Sequence, residues 1–262
     1  MTTPTRDSII SRVVRILSSF DRRTTSLSLS SLARRSGLPL TTTHRLTEEL
    51  VRHGLLERAA SGDLRPGLRM WELASRASPA LTLREVCLPF MEDLQATVKQ
   101  HVTLAVLDHG TALYVERLSS PASPLDAANI AERMPLHASS SGLVLLAFSS
   151  PAVQRRALEG PLEKVTPETV TDPESLRRQL ADIRRKGYSA PPGIGRTEWI
   201  GVAVPVFGPG ESSQRPRIAA ALNCILPRSD ADLVPRVVPA LTTAAHGMTR
   251  ALGGAPQPGS DS

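Results

Sequence analysis

The spacing of apolar positions changes along the chain, and with it the elements it predicts. Over residues 8–20, Ile9, Ile10, Val13, Val14, Ile16, Leu17 and Phe20 recur at three- and four-residue intervals with Arg12 and Arg15 between them, which predicts an amphipathic helix. After a polar break at 21–26, residues 27–37 predict a short helix that Ser28 caps and Gly37 ends. Gly37-Leu38-Pro39 leaves room only for a tight turn. Beyond it, Thr41-Thr42-Thr43-His44-Arg45 runs into Leu46, Leu50 and Val51, a hydroxyl-rich first turn followed by an apolar face that ends near His53-Gly54. Two short helices across a Gly-containing turn predict a helix-turn-helix. Residues 55–58 and 64–67 around Ser61-Gly62-Asp63 then predict a small hairpin, the wing of a winged helix.

Residues 68–78 continue as a helix up to Ser78-Pro79, where a domain boundary is expected. From Leu83 the series Leu83, Val86, Cys87, Phe90, Leu94, Val98 is again helical, with Pro89 marking a start or a kink. Residues 101–107 and 111–118 flank Asp108-His109-Gly110, a hairpin signal whose mechanism is the glycine. A second strand pair is expected at 199–207 and 217–226, across the turn-rich 208–216. Helices are expected at 142–148, 151–158, 173–186 and about 233–252. Irregular alternation of this kind predicts an α+β domain with a mainly antiparallel sheet. The segment 253–262 reads as a disordered tail.

Composition narrows the function classes. A chain of 262 residues, 40% hydrophobic and 21% charged, can hold one large or two modest folded domains. With 2 Trp, 2 Tyr and 4 Phe the core must come from aliphatic side chains. No stretch approaches the ~20 apolar residues of a membrane helix and no secretory leader is recognisable, so a cytoplasmic protein with no membrane partner is expected. Cys87 and Cys224 make no disulfide framework and lack metal-ligand spacing, so both are expected as buried thiols. The charge is unevenly placed. Residues 1–76 hold 13 Arg and 7 acids, whereas 77–262 hold 18 basic and 18 acidic residues. A small basic unit joined to a neutral one implies that the first touches a polyanion and the second does something else.

The chemistry of groove recognition fits the second helix of the pair. Its first turn must carry small donors and acceptors for base edges, backed by Arg for phosphate or guanine, and its free amides can hold a phosphate. Thr41, Thr42, Thr43 and Arg45 meet that need, with Ser30 and His44 beside them and Arg65 on the wing for minor groove or backbone. The alternative, threonines that merely cap a helix and a solvated arginine, is weakened by the neighbouring helix and hairpin.

The run from Leu27 through Gly37-Leu38-Pro39-Leu40 to Leu46, followed by Gly67-Leu68-Arg69-Met70-Trp71-Glu72-Leu73, resembles the IclR-type bacterial transcriptional regulators. The likeness continues through Leu83-Arg84-Glu85-Val86, residues 104–108, Leu136-His137-Ala138, Gly142, residues 183–188, residues 202–207 and Ala220-Ala221-Leu222, so it covers about 8–252. It implies a winged helix-turn-helix over 1–67, a linker helix over 68–80 that transmits geometry, and a larger α+β (GAF/PAS-like) effector-binding domain over 81–252. It also implies a homodimer or homotetramer on double-stranded DNA. A dimer on a near-palindromic operator is expected independently, because one recognition helix covers too few bases.

The resemblance carries an effector pocket onto Met134, Leu136, Ser139, Ser140, Ser141, Gly201, Asn223 and Ile225. On the residues alone, Ser139-Ser140-Ser141 before a helical run offers a seat for a carboxylate, or is simply three turn serines. Four departures from the family pattern stand out. Leu40 replaces a usual Lys, Gly201 a common Cys, Asn223 and Ile225 two serines, and Ser189-Ala190-Pro191-Pro192-Gly193 a usually acidic segment. The first predicts a missing phosphate contact and so bears on operator affinity, and the other three predict a larger or less polar organic acid as effector, or none. A ligand-independent DNA-binding regulator with a degenerate pocket is therefore the alternative.

Enzymatic readings find little support. Gly193-Ile194-Gly195-Arg196 lacks the remaining glycine and the βαβ context of a phosphate loop. The serine cluster lacks the glycine-flanked elbow of a hydrolase, and no histidine pair has zinc spacing. No catalytic residue, cofactor or metal is expected.

Overall fold

Serine hydroxyls start the first two helices. Ser8 Oγ accepts from the amide of Ser11 at 3.0 Å and opens α1 (Ile9–Leu17), and Ser28 Oγ accepts from Ser31 at 3.3 Å and opens α2 (Leu29–Ser36). Gly37 takes a left-handed φ of 65° and closes α2, after which α3 (Leu40–Arg52) follows across Leu38-Pro39. A computed structural model describes residues 7–21, 24–120, 130–210 and 217–254. Its chain divides into two compact units, Met1–Ser78 and Pro79–Ser262.

In the first unit, Ile16, Leu32, Leu38, Leu46 and Leu50 meet Leu56 and Leu64 in one aliphatic core. The last two belong to the wing, where β1 (Leu56–Arg58) pairs antiparallel with β2 (Leu64–Pro66). Leu27 adds a bridge to Leu64, exchanging backbone hydrogen bonds at 2.9 and 2.8 Å, so the wing is tied to the residue just before α2. The first helix ends at Leu17, three residues short of the apolar pattern, and Phe20 packs from the turn beyond it. Next comes α4 (Leu68–Ala77). It stops at Ser78, whose extended backbone is what a following proline imposes.

The second unit opens with α5 (Pro79–Val98), four residues earlier than the periodicity from Leu83 indicates, and Pro89 sits inside it. One antiparallel sheet in the order β5-β4-β3-β7-β6 forms the middle layer, from β3 (His101–Asp108), β4 (Thr111–Leu118), β5 (Arg133–Pro135), β6 (Trp199–Gly208) and β7 (Arg217–Pro227). The β3–β4 turn uses left-handed His109 and Gly110, φ 46° and 78°, the pairing that suits a two-residue hairpin. β5 is three residues long, too short to show a period, and sequence patterning misses it.

The pleat sorts β6 and β7 by parity. Ile200, Val202, Val204 and Val206, with Ala220, Leu222, Cys224 and Leu226, face α5 and α9 (Val234–Ala251) and make one core. Ala203 and Ala221 face the other way, into a second core built with α6 (Ser140–Ala147) and α8 (Pro173–Lys186). Between those helices lies α7 (Pro151–Glu159). The unit is thus an α+β sandwich of helices on both faces of an antiparallel sheet. Of the tail expected to be disordered, Gly254 donates its amide to the carbonyl of Thr249 at 2.8 Å, and 255–262 lie outside the described residues.

Candidate functional site

Two sites emerge, one in each unit. The first is the N-terminal end of α3. Pro39 holds the capping position and supplies no side-chain acceptor, and no acid lies in the first turn. The leading amides of α3 therefore point outward at the positive end of the helix, the arrangement that binds phosphate. Thr41, His44 and Arg45 are exposed there and Thr42 is half-buried. Thr43, expected at base edges or phosphates, is turned fully into the core and donates its hydroxyl to the carbonyl of Pro39 at 3.1 Å. Two steps along a helix is about 200° of rotation, which places Thr43 on the side opposite Thr41.

Most arginines of this unit are already paired. Arg35 donates to Asp21, Arg52 to Glu49 and Arg58 to Glu48, and Arg65 is held by Glu57 at 2.5 Å. Arg34, Arg45 and Arg69 make no ion pair among the described residues; the first two lie on the helix-turn-helix and the third on α4. The wing arginine pairs with its neighbour. Ser30 is exposed, with its hydroxyl 3.2 Å from that of Ser28. Leu40, 53% exposed at the start of α3, adds an apolar contact surface where the family usually has Lys.

The second site is a cavity of about 510 Å³ on the odd-numbered face of the sheet. Met134 of β5, Ser139 and Ser140 at the start of α6, Gly201 of β6, and Asn223 and Ile225 of β7 all line it. Six of the eight residues expected there are thereby brought together. Leu136 and Ser141 are not. Leu136 begins a 3-10 turn (Leu136–Ala138) that sends its side chain to a neighbouring hollow of about 570 Å³, and Ser141 is buried one residue round the helix, against Tyr114. Sequence reasoning missed Tyr114, Glu132, Val165, Thr166 and the run from Ile194 to Trp199. The Gly-Ile-Gly-Arg segment set aside as a phosphate loop is in fact a wall of this cavity.

The walls differ in character. Burial pushes the Tyr114 phenol up, partly opposed by the hydroxyls of Ser141 and Ser139. Ser139 itself caps α6, accepting from Gly142 at 3.0 Å. Ser140 Oγ and Asn223 Oδ1 are fully buried and have no hydrogen-bond partner among the described residues, and Asn223 Nδ2 donates to Thr103 Oγ1 at 3.1 Å. At the exposed side Arg196 stacks over Trp199, 5.0 Å from the ring centre. Arg228 clasps that loop, donating from Nη1 to Thr197 O at 3.1 Å and to Glu168 Oε1 at 3.0 Å. The same contact holds the Glu168 carboxyl below its usual range. No group of His, Cys, Asp and Glu that could hold a metal occurs among the described residues, nor any helix long and apolar enough to cross a membrane.

A winged helix with an open positive helix end, in a chain whose second unit holds a partly polar cavity, defines a DNA-binding transcriptional regulator. Residues 10–60 match the IclR helix-turn-helix domain and residues 76–249 match the family described as bacterial transcriptional regulator IclR C-terminal. The chain belongs to the IclR family. It is similar to the HTH-type transcriptional regulator XynR of Escherichia coli (strain K12), 26% identical over 93% of this chain and 96% of XynR. Among solved structures it resembles an IclR homolog from Microbacterium hydrocarbonoxydans complexed with 4-hydroxybenzoate. The two are 44% identical, with a TM-score of 0.85 over 94% of this chain and 99% of that one. It also resembles an IclR homolog from Microbacterium sp. strain HM58-2, 43% identical, with a TM-score of 0.60 over 96% of this chain and all of that one.

Proposed function

We propose that this regulator reads a near-palindromic operator as a dimer, through Thr41, Thr42, His44, Arg45 and Ser30 with Arg65 on the wing, and releases or engages it in response to a small aromatic carboxylic acid. In this reading residues 1–67 bind DNA, 68–80 link, and 81–252 hold the acid in the Met134–Ile225 cavity; the protein works in the cytoplasm and catalyses nothing. The carrying observation is the cavity itself, a space for a small molecule lined by Ser139 and Ser140 at the start of α6 and by Gly201, Asn223 and Ile225 of the sheet. Among the other lining residues Met134, Ile194, Trp199 and Ile225 offer apolar surface for a ring, while Glu132, Arg196 and Glu198 bring charges of both signs. The 4-hydroxybenzoate held by the Microbacterium hydrocarbonoxydans homolog supports the same ligand class.

Self-association is supported by apolar side chains on the first unit. Ile10 is 76% exposed, Leu68 75% and Trp71 68%, on α1 and α4, more than a solitary small domain usually leaves in water. An acid changes operator affinity only by binding the DNA-competent and DNA-incompetent forms unequally. Fluorescence anisotropy with the upstream promoter fragment, with and without 4-hydroxybenzoate, tests the whole reading. The expected result is salt-sensitive, sequence-selective binding whose midpoint moves with the acid. Selective binding that no aromatic acid shifts, together with no thermal stabilisation by any of them, establishes the ligand-independent alternative.

A further inference from the structure

The core that α6 and α8 make against the sheet is left uncovered at one place. Leu107, Met134, Val153, Ala157 and Leu162 pack on it while staying partly exposed, and all five line the hollow of about 570 Å³ beside the Leu136–Ala138 turn. The walls come from the β3–β4 turn, β5, the 3-10 turn, α7 and residues 160–162, so the aliphatic floor lies at the bottom of a concavity. Its volume is in the ~300–1,000 Å³ range of small-molecule pockets. It is a separate space from the cavity lined by Gly201, Asn223 and Ile225, with Met134 the one residue common to both.

The charges around this hollow are one-sided. No Asp or Glu is in the lining, whereas His109, Arg133, His137 and Arg156 are. Arg133 is already satisfied, donating to Asp108 Oδ2 and to Thr111 Oγ1, and that pairing fixes one side of the rim. His137 is 6% exposed, and its Nε2 donates to the carbonyl of Glu163 at 2.8 Å. His109 stands in solvent on the hairpin turn, with Nε2 3.8 Å from Asp108. Arg156 of α7 makes no ion pair among the described residues, so it is the guanidinium whose charge is left for a ligand. The first cavity, by contrast, sets Glu132 and Glu198 beside Arg196 and has no such bias.

We infer that this hollow is a second ligand site, built for an amphipathic monocarboxylate whose hydrocarbon tail covers the aliphatic floor and whose carboxylate meets Arg156 at the rim. A guanidinium takes a carboxylate through two parallel hydrogen bonds, and each methylene that leaves water is worth about a fourfold gain in affinity. A neutral molecule with the same tail keeps only the second contribution, and an ammonium meets a like charge. The inference is independent of the aromatic-acid reading above, which concerns the other cavity.

Calorimetric titration of the full chain with octanoate, hexanoate, octanamide and octylammonium tests it. Octanoate should bind tightest, hexanoate about 10-fold more weakly for two lost methylenes, octanamide about 3- to 10-fold more weakly for the lost charge, and octylammonium more weakly still. Arg156→Gln should bring octanoate down to the affinity of octanamide and leave octanamide where it was. Ala157→Trp puts an indole into the hollow and should abolish octanoate binding. Melting curves show whether each variant is folded, and the wild-type series needs neither. Octanoate no tighter than octanamide in the wild type, or octanoate affinity unchanged in either folded variant, overturns the site. Absence of octanoate binding to the wild type overturns it too, and a change of oligomer size in Ala157→Trp would then give the hollow to a subunit contact. Titration of the same proteins with 4-hydroxybenzoate keeps the two readings apart, since its binding should not change in Arg156→Gln or Ala157→Trp.

Discussion

Thr43 and Pro39 are joined twice: the Thr43 amide donates to the Pro39 carbonyl at 2.9 Å and the Thr43 hydroxyl to the same oxygen at 3.1 Å. The hydroxyl bonds back to a carbonyl four residues earlier, which fixes the buried Thr43 side chain but leaves the leading amides of α3 free. Of three consecutive threonines, one is therefore a folding residue. Thr43→Val is expected to lower unfolding free energy by about 0.5–1.5 kcal/mol, the net worth of a typical hydrogen bond, and to leave operator affinity unchanged. Urea unfolding alongside anisotropy separates the two; a binding loss in a fully folded variant would return Thr43 to the DNA face.

Arg45 behaves in the opposite way. It is exposed and unpaired among the described residues, so Arg45→Ala should leave the melting temperature alone and weaken operator binding by about 1–3 kcal/mol if it reads a base. A uniform weakening on all sequences, with the salt slope reduced by about one, assigns it to phosphate instead. Leu40→Lys adds a cation at the exposed start of the same helix. Its expected signature is a salt slope steeper by about one. Titrations at several salt concentrations report both variants.

Glu116 is held by Arg84 of α5, which donates from Nε to its Oε2, while Oε1 accepts from the Arg117 amide at 2.8 Å. The carboxylate side chain is 4% exposed and the guanidinium 39%, so removing the arginine strands a buried charge that water reaches poorly. Arg84→Ala should cost about 1–3 kcal/mol, less than a pair buried on both sides because Arg84 is partly solvated. Combining Arg84→Met with Glu116→Gln should recover most of that loss. Guanidinium unfolding of the single and double variants measures it, and a double variant no more stable than Arg84→Ala refutes the stranded-charge explanation.

Burial pushes both thiols, Cys87 and Cys224, up to about 12 from 9.0. A thiol whose folded-state value is raised contributes stability that is fully present below pH 9 and is lost as pH climbs from 9 toward 12, because only the unfolded chain ionises there. At pH 8 iodoacetamide should label neither cysteine in the native protein and both in denaturant, read by intact mass. Labelling of the folded chain at that pH contradicts the burial of Cys87 of α5 and Cys224 of β7 in the core they share with α9.

Much of the local structure is written in short-range patterns. Ser28 and Gly37 bracket α2 because a hydroxyl acceptor and a left-handed residue are needed at those two points and nowhere else in the segment. Asp108-His109-Gly110 turns β3 into β4 for the same kind of reason. The N-terminal end of α3 was legible as a hydroxyl-rich turn, but its division into Thr41 outside and Thr43 inside depends on where the core lies. The cavity of the second unit was less legible. Its serines, Gly201, Asn223 and Ile225 came from family likeness, although strand parity alone puts 201, 203, 223 and 225 on one face. The wall from Ile194 to Trp199 had no local signal, since a loop with two glycines looks alike over solvent and over a cavity.

What the chain determined by itself is therefore the set of elements, the placement of net positive charge in its first third, and membership of its family, because capping, period and charge act between residues close in sequence. What only the tertiary structure decided is which polar atoms are left over. Arg65 pairs with Glu57 across the hairpin, Arg45 makes no ion pair among the described residues, and Asn223 spends its nitrogen on Thr103 while its buried oxygen has no partner among them. Those outcomes depend on contacts as far as 120 residues apart in the chain, where hydrogen-bond partners are set by strand register and packing rather than by neighbours.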